Sequence, residues 1–254
     1  MNTTNGARTV DLFWTGGWVS TFCLLSALQM EEVRVRPHYV LDPSSPRTEL
    51  EIDAMQHVRR AVQSWRPELA ERLLPTASTS LDDLAEDDVG AARFERLSAR
   101  AGLGRHYEWV SRYARHAGLD ELEVGSHRGD PAVALLGDEL RRVREQPFAT
   151  YRLAPEAKDS DLGIFSRLTF PLADLTRGDM RRIALERGFL DTLDLTWFCT
   201  SPRRGAPCGV CDKCHAAVVD GFGHMLPAHS LRLHDIKWLT RWRPWQNVVE
   251  RVMG

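Results

Sequence analysis

The chain has 254 residues, with 33 Lys and Arg against 35 Asp and Glu and a formal net charge of -2 at pH 7. That length can bury a substantial core, and the near balance of charge excludes a general electrostatic attraction to nucleic acid or to an anionic membrane surface. No apolar run is long enough to span a bilayer, and MNTTNGARTVDLFW lacks the charged start and long apolar stretch of a signal peptide, so a cytoplasmic protein is expected.

In chain order, short β-rich runs alternate with helical patterns, which predicts an α/β fold: a parallel sheet flanked by helices. A first strand is expected over residues 9–13. After a glycine pair, STFCLLSALQ has apolar residues spaced for a helix packed on a sheet. VRVRPHYVL alternates like a second strand, although Pro37 weakens it. DPSSPRT is a loop, followed by a helix ending near Trp65. LDDLAEDDVGAARFERLSARAGLGR is polar and glycine-punctuated, and reads as a partly helical insertion whose carboxylates face solvent. HYEWVSRYARHAG predicts a helix closed by Gly118, and ELEVGS a strand ending at Ser126. GDPAVALLGDELRRVRE predicts a helix starting near Pro131, and EAKDSDLG a mobile loop over a site. DLTRGDMRRIALERGF opens with Thr176 and Asp179 at an approximate capping-box spacing and closes at Gly188.

Two stretches carry chemistry. In TGGWVST, Gly16 and Gly17 permit a tight turn and close approach to a ligand, and the amides of the following helix can face an anion. Thr15, Ser20 and Thr21 could add hydroxyl donors. A plain glycine turn with Ser20 as a helix cap is the alternative, and neither the Walker nor the dinucleotide pattern is present. In CTSPRRGAPCGVCDKC, Cys199, Cys208, Cys211 and Cys214 can supply four thiolates to one tetrahedral ion, with Zn²⁺ in a closed structural site favoured. Redox thiols and an iron–sulfur cluster are the alternatives there. Cys23, on an apolar helix face, reads as a core residue.

The order of these features resembles the 7-cyano-7-deazaguanine synthase family of PP-loop ATP pyrophosphatases. The segment from Thr15 to Thr21 looks like that family's S-G-G-x-D-S-T loop, and FPLADLTRGDMRRIALERGF is similar to its P-L-x-x-L-T-K-x-x-I segment. LTWFCTSPRRGAPCGVCDKCHAAVVDGF looks like its T-W-S-C ending with C-x8-C-x2-C-x2-C spacing. The resemblance covers most of residues 9–224, with 67–105 departing from it. It implies an adenine-nucleotide α-hydrolase-like (Rossmann-like) sheet that binds ATP, with Thr15, Gly16, Gly17, Trp18, Ser20 and Thr21 at the phosphates and Ser20 and Arg177 in catalytic roles. It also implies Mg²⁺, structural Zn²⁺, and activation of a 7-deazapurine-like carboxylate that ammonia converts to an amide and then a nitrile. Thr15 replaces a serine and Arg177 a lysine. Val19 stands where the family carries an aspartate, which removes a potential ligand for a hard cation. TWFCTSP also lacks a tyrosine common after the first cysteine.

Arg105, His127, Arg128 and Asp130 are candidate substrate contacts, the last three because they follow an expected strand. A solvated polar loop is the alternative for them. Trp238, Trp242 and Trp245 near the C-terminus suit packing on the domain or a partner subunit, so a homodimer is a possible assembly, with stacking on single-stranded nucleic acid as the alternative. The expected organisation is a nucleotide-binding core over 1–194 with a divergent insertion at 67–105, a zinc module over 195–224 packed on it, and a Trp-rich extension over 225–254.

Overall fold

The apolar run before the glycine pair forms β1 (Arg8–Phe13), and the chain turns at once into α1 (Trp18–Leu28). From Thr21 to Leu28 every residue of α1 is buried, as expected of a helix with no polar stripe. The protein is seen in a computed structural model in which residues 7–241 are described. β2 (Val33–Leu41) pairs in parallel with β1, and β3 (Ala77–Ser80) pairs in parallel with β2. Pro37 cannot donate to a ladder, and it faces a gap in one: β3 begins pairing only opposite His38, while Val35 meets Leu73 in an isolated bridge.

Between β2 and β3 lie α2 (Thr48–Trp65), which buries Ala54, Met55, Val58 and Val62 along one face, and α3 (Pro67–Ala70). The 67–105 region therefore supplies an edge strand of the sheet as well as α4 (Asp88–Ala101). The ASTS sequence of β3 has no apolar alternation to announce it. α5 (His106–His116) turns Tyr107, Val110, Tyr113 and Ala114 inward and leads to β4 (Leu122–Val124).

The helix expected from Pro131 is cut short. α6 (Pro131–Leu136) ends at Gly137, which takes a positive φ, and Leu140–Arg144 becomes β5, paired antiparallel with β6 (Thr150–Leu153). Cross-strand pairing overrides a helix-favouring composition there. EAKDSDLG is tied down rather than loose: turns at Pro155–Ala157 and Asp161–Phe165 follow one another, and Asp161 meets Arg96 at 2.7 Å. β7 (Leu168–Phe170), α7 (Arg177–Glu186) and α8 (Leu190–Leu193) follow.

The seven strands run in the order β3-β2-β1-β4-β7-β6-β5, parallel through β7 and then antiparallel. This is the α/β class expected, a mostly parallel sheet flanked by helices. Phe13, Val124, Tyr107, Phe165 and Phe170 belong to one buried cluster beside the sheet, each such side chain worth about 1.5–3 kcal/mol of burial. After β1 the chain builds outward through β2 and β3, then returns to lay β4 on the other side of β1. The boundary between β1 and β4 is thus a topological switch point, where α/β sheets open a crevice at the carboxyl ends of their strands.

By its contacts the chain divides into two compact units, the first running to Trp197 and the second starting at Phe198. The second contains α9 (Asp212–Val219) and α10 (Ala228–Arg241). Trp238 lies in α10, whereas Trp242 and Trp245 lie outside the described residues. Among the described residues no helix is long and apolar enough to cross a membrane.

Candidate functional site

The turn between β1 and α1 sits at the switch point. Gly16 has φ +65, and a Cβ there would lie 2.6 Å from the carbonyl oxygen of Glu51, so conformation and space both demand glycine. Gly17 is the N-cap of α1, and no side chain caps that helix. Its first-turn amides have no intrahelical acceptor, and its dipole favours negative charge in front of them. Ser20 is not the cap. Its Oγ donates to Gly17 O at 3.1 Å, lies 3.4 Å from the Thr15 amide, and sits 3.4 Å from Thr15 Oγ1. Two hydroxyls therefore stand side by side at the turn.

Other residues of this loop face inward. Thr21, expected as a hydroxyl donor, is fully buried and accepts a 2.9 Å hydrogen bond from the Trp14 indole. The Trp18 ring is buried and stacks on Phe22 with centroids 6.1 Å apart, which leaves its main chain to meet any ligand. Val19 is half-buried and offers no side-chain ligand atom.

The chain leaving β4 presses on this turn. A Cβ on Gly125 would lie 3.1 Å from both the N and the Cα of Ser20. Ser126 is fully buried with its Oγ 2.6 Å from the Tyr107 hydroxyl, which in turn donates to Asp130 Oδ1 at 2.8 Å. With the phenol proton committed to Asp130, Ser126 is the donor to Tyr107. Burial, and then the Asp130 charge, push the Tyr107 phenol well above its ordinary pKa, so it remains a neutral donor. Asp130 also accepts from Ala132 N at 2.9 Å and so caps α6. Its carboxylate anchors the loop, which accounts for its position without a substrate.

His127 bridges to Leu172, and the Arg128 amide donates to Leu175 O at 3.0 Å, which ties the post-β4 loop to the segment after β7. Arg177 opens α7 beneath a full capping box: Thr176 Oγ1 accepts from the Asp179 amide, and the Asp179 carboxylate accepts from the Thr176 amide. The Arg177 Nε lies 3.2 Å from His127 Nε2. The ends of β1, β4 and β7 thus gather residues 15–20, 125–130 and 176–177. Arg105 lies elsewhere, exposed, along a cleft of about 320 Å³ with Asp87, Glu108 and Arg112.

Three contributors escaped the sequence reading. Glu51 backs the Gly16 turn, Gly125 allows the close approach to Ser20, and the Trp197 amide donates to Gly16 O at 3.0 Å. The glycine ending β4 is the one local signal among them.

In the second unit, the sulfurs of Cys199, Cys208, Cys211 and Cys214 all lie within 4.8 Å of one another. Cys199 to Cys211 and Cys208 to Cys214 are each 3.9 Å. Main-chain amides point at the sulfurs: Cys208 N to Cys199 at 3.2 Å, Val210 N to Cys208 at 3.4 Å and Cys214 N to Cys211 at 3.4 Å. Such donors support thiolate charge. Hydrogen bonding from Cys199, then Cys214, holds the Cys211 thiol far below its ordinary pKa. Gly209, with φ +75, makes the knuckle possible, because a Cβ there would lie 2.0 Å from Ser230 O. His215 turns its Nδ1 to His234 Nε2 at 3.0 Å and lies outside the four-sulfur group. The four cysteines form a donor set able to hold a metal ion.

No protein-family model matches the chain, and no curated protein does. Among solved structures, the chain is similar to the U34-tRNA thiolase NcsA from Methanococcus maripaludis, described with its 4Fe-4S cluster. The identity is 11%, the TM-score 0.41, and the match covers 90% of this chain and 70% of that one. A likeness that slight assigns neither chemistry nor cofactor.

Proposed function

We propose that the first unit binds the polyphosphate of ATP at residues 15–20 and that the protein activates a carboxylate as its adenylate. The observation that carries this reading is the uncapped start of α1, entered through Gly16 and Gly17 at the β1/β4 switch point. Main-chain amides there suit an anion, and the Arg177 guanidinium adds positive charge on the same side of the sheet. The motif order described above supports ATP and the reaction class.

In this reading a carboxylate oxygen attacks the α-phosphorus and pyrophosphate leaves. The acyl carbon then has AMP as its leaving group, and ammonia displaces it to give an amide. The amides of the α1 start and the Arg177 guanidinium meet the charge that develops on the pyrophosphate. The loop supplies no carboxylate for Mg²⁺, so no step is assigned to a loop-bound cation. A 7-deazapurine-like acid is the acceptor favoured by the resemblance, with a second activation leading to the nitrile.

The cysteines fit Zn²⁺. Sulfurs about 2.3 Å from one tetrahedral ion stand about 3.8 Å apart, close to the two 3.9 Å separations. In an iron–sulfur cube each thiolate binds its own iron, which spreads the sulfurs wider. Four sulfurs leave no open position, so the ion would hold structure.

Val19 favours a second reading, a nucleotide-binding protein without turnover. A pyrophosphate-release assay with ATP and aromatic carboxylic acids, including 7-carboxy-7-deazaguanine, separates the two. Release that depends on the acid supports adenylation. Calorimetric ATP binding with no release across the acids supports the second reading, and Val19→Asp then shows whether the missing carboxylate is the reason.

A further inference from the structure

β1 and β2 run parallel, so the chain leaving β2 emerges at the same edge of the sheet as the glycine turn. It leads into the start of α2, which is tied to that chain and to β2. Thr48 Oγ1 donates to Asp42 O at 2.7 Å, and the Tyr39 hydroxyl donates to Glu51 Oε2 at 2.6 Å. Gly16 packs on the turn of α2 that follows. A Cβ there would lie 2.6 Å from Glu51 O, 3.1 Å from Met55 Cγ and 3.3 Å from Ala54 Cβ. Glu51 thus turns its main chain to the glycine turn and its side chain to β2.

A largely buried carboxylate behind an anion site opposes the anion unless a cation offsets it. The Glu51 side chain is only 14% exposed, and Arg47 Nε lies 3.2 Å from its Oε1. Burial pushes the Glu51 carboxyl up from its ordinary pKa, while the Tyr39 hydroxyl and then Arg47 pull it down. A guanidinium carries more donors than one carboxylate oxygen takes, and the Arg47 side chain is 34% exposed, so solvent and solutes reach it. Arg47 is therefore an accessible planar cation whose orientation is set by a carboxylate that Tyr39 fixes in turn. A pre-oriented fork of that kind suits an oxyanion.

We infer that Arg47 is a ligand for one phosphate of the polyphosphate, with Glu51 and Tyr39 as the positioning residues that aim it. This rests on the proposed function, in which the polyphosphate lies at residues 15–20. Arg177 follows β7, beyond β4 in the sheet, whereas Arg47 follows β2, on the other side of β1. The turn is then served by a cation from each direction along the sheet.

Contact with phosphate and mere neutralisation of Glu51 predict different double mutants. The test uses the full chain, with inorganic pyrophosphate as probe and benzoate as a control anion, both titrated by calorimetry. Arg47→Gln should lower pyrophosphate affinity by about tenfold or more, and by a similar factor when Glu51→Gln is already present. Benzoate affinity should stay within about twofold, and Arg47→Lys, which keeps the charge and loses the fork, should fall between. The tie from Thr48 to Asp42 does not involve Arg47, so the unfolding midpoint should stay near that of the wild type. A loss that vanishes in the Glu51→Gln background, or that benzoate shares in full, overturns this inference alone. So does pyrophosphate binding that Arg47→Gln leaves within about twofold. Failure of the wild-type chain to bind pyrophosphate overturns the proposed function along with it.

Discussion

Around the cysteines, one short segment from Cys199 to Cys214 supplies every candidate ligand, and its own amides point at the sulfurs. Around the glycine turn, the groups come from the ends of three strands and from Glu51 and Trp197, and strand order is what gathers them. The first arrangement is complete or absent, because a four-coordinate ion needs all four sulfurs together. The second is graded, because each contributor shifts the turn by a little. The two regions should therefore fail differently.

The largest effect is expected at the cysteines. Cys208→Ser should lose the stoichiometric metal, zinc by elemental analysis, and with it amide protection over Asp212–Val219. A structural zinc can supply about 10–16 kcal/mol to the fold that encloses it, so partial retention is not expected. Equimolar zinc in the variant, or iron in the wild type, would contradict a four-sulfur zinc site.

Next come the glycines of the turn, for which the molecule supplies its own control. Gly16 and Gly118 share φ +65, but a Cβ on Gly118 meets nothing within 4 Å, whereas one on Gly16 meets a backbone carbonyl at 2.6 Å. Gly118→Ala should cost only the left-handed conformation, about 1 kcal/mol. Gly16→Ala should add a clash and cost about 3 kcal/mol in urea unfolding. Equal losses would mean that Glu51 does not pack on the turn.

Gly125→Ala should act on binding more than on folding. Its Cβ would crowd Ser20 at 3.1 Å, a distance a small shift of α1 can relieve. The expected result is a drop of about tenfold in ATP affinity by calorimetry, with the unfolding midpoint little changed. An unchanged affinity would detach the post-β4 loop from the site.

The smallest effect is electrostatic. Hydrogen bonds from the Thr176 side chain, then its amide, hold the Asp179 carboxyl below the ordinary range. A depressed carboxyl stabilises the fold in full above its unfolded value, about 3.9, and loses that contribution as pH falls through the lower folded value. The Tm gap between wild type and Asp179→Asn should thus be present near neutrality and shrink below about pH 3.9. A gap that does not change with pH would mean that the ionised cap adds nothing to the turn carrying Arg177.

The same contrast explains what could be read from the chain. β1, the glycine pair, the Thr176–Asp179 box and the cysteine spacing are local patterns, and all are legible. β3 was hidden because ASTS lacks alternation and forms a strand only by pairing with β2. β5 was hidden because ELRRVRE suits a helix until β6 pairs with it. Thr21 looked like a loop donor, yet its place on α1 turns it toward Trp14. The approach of Gly125 to Ser20 and of Trp197 to Gly16 spans more than a hundred residues of chain, and no local rule announces it.

Whether the start of α1 grips a polyphosphate is decided by a crystal structure grown with ATP and Mg²⁺. Phosphate oxygens are expected within hydrogen-bond distance of the amides at residues 16–20 and of Arg177. ATP bound elsewhere on the protein, with the glycine turn in contact only with protein or water, would contradict it.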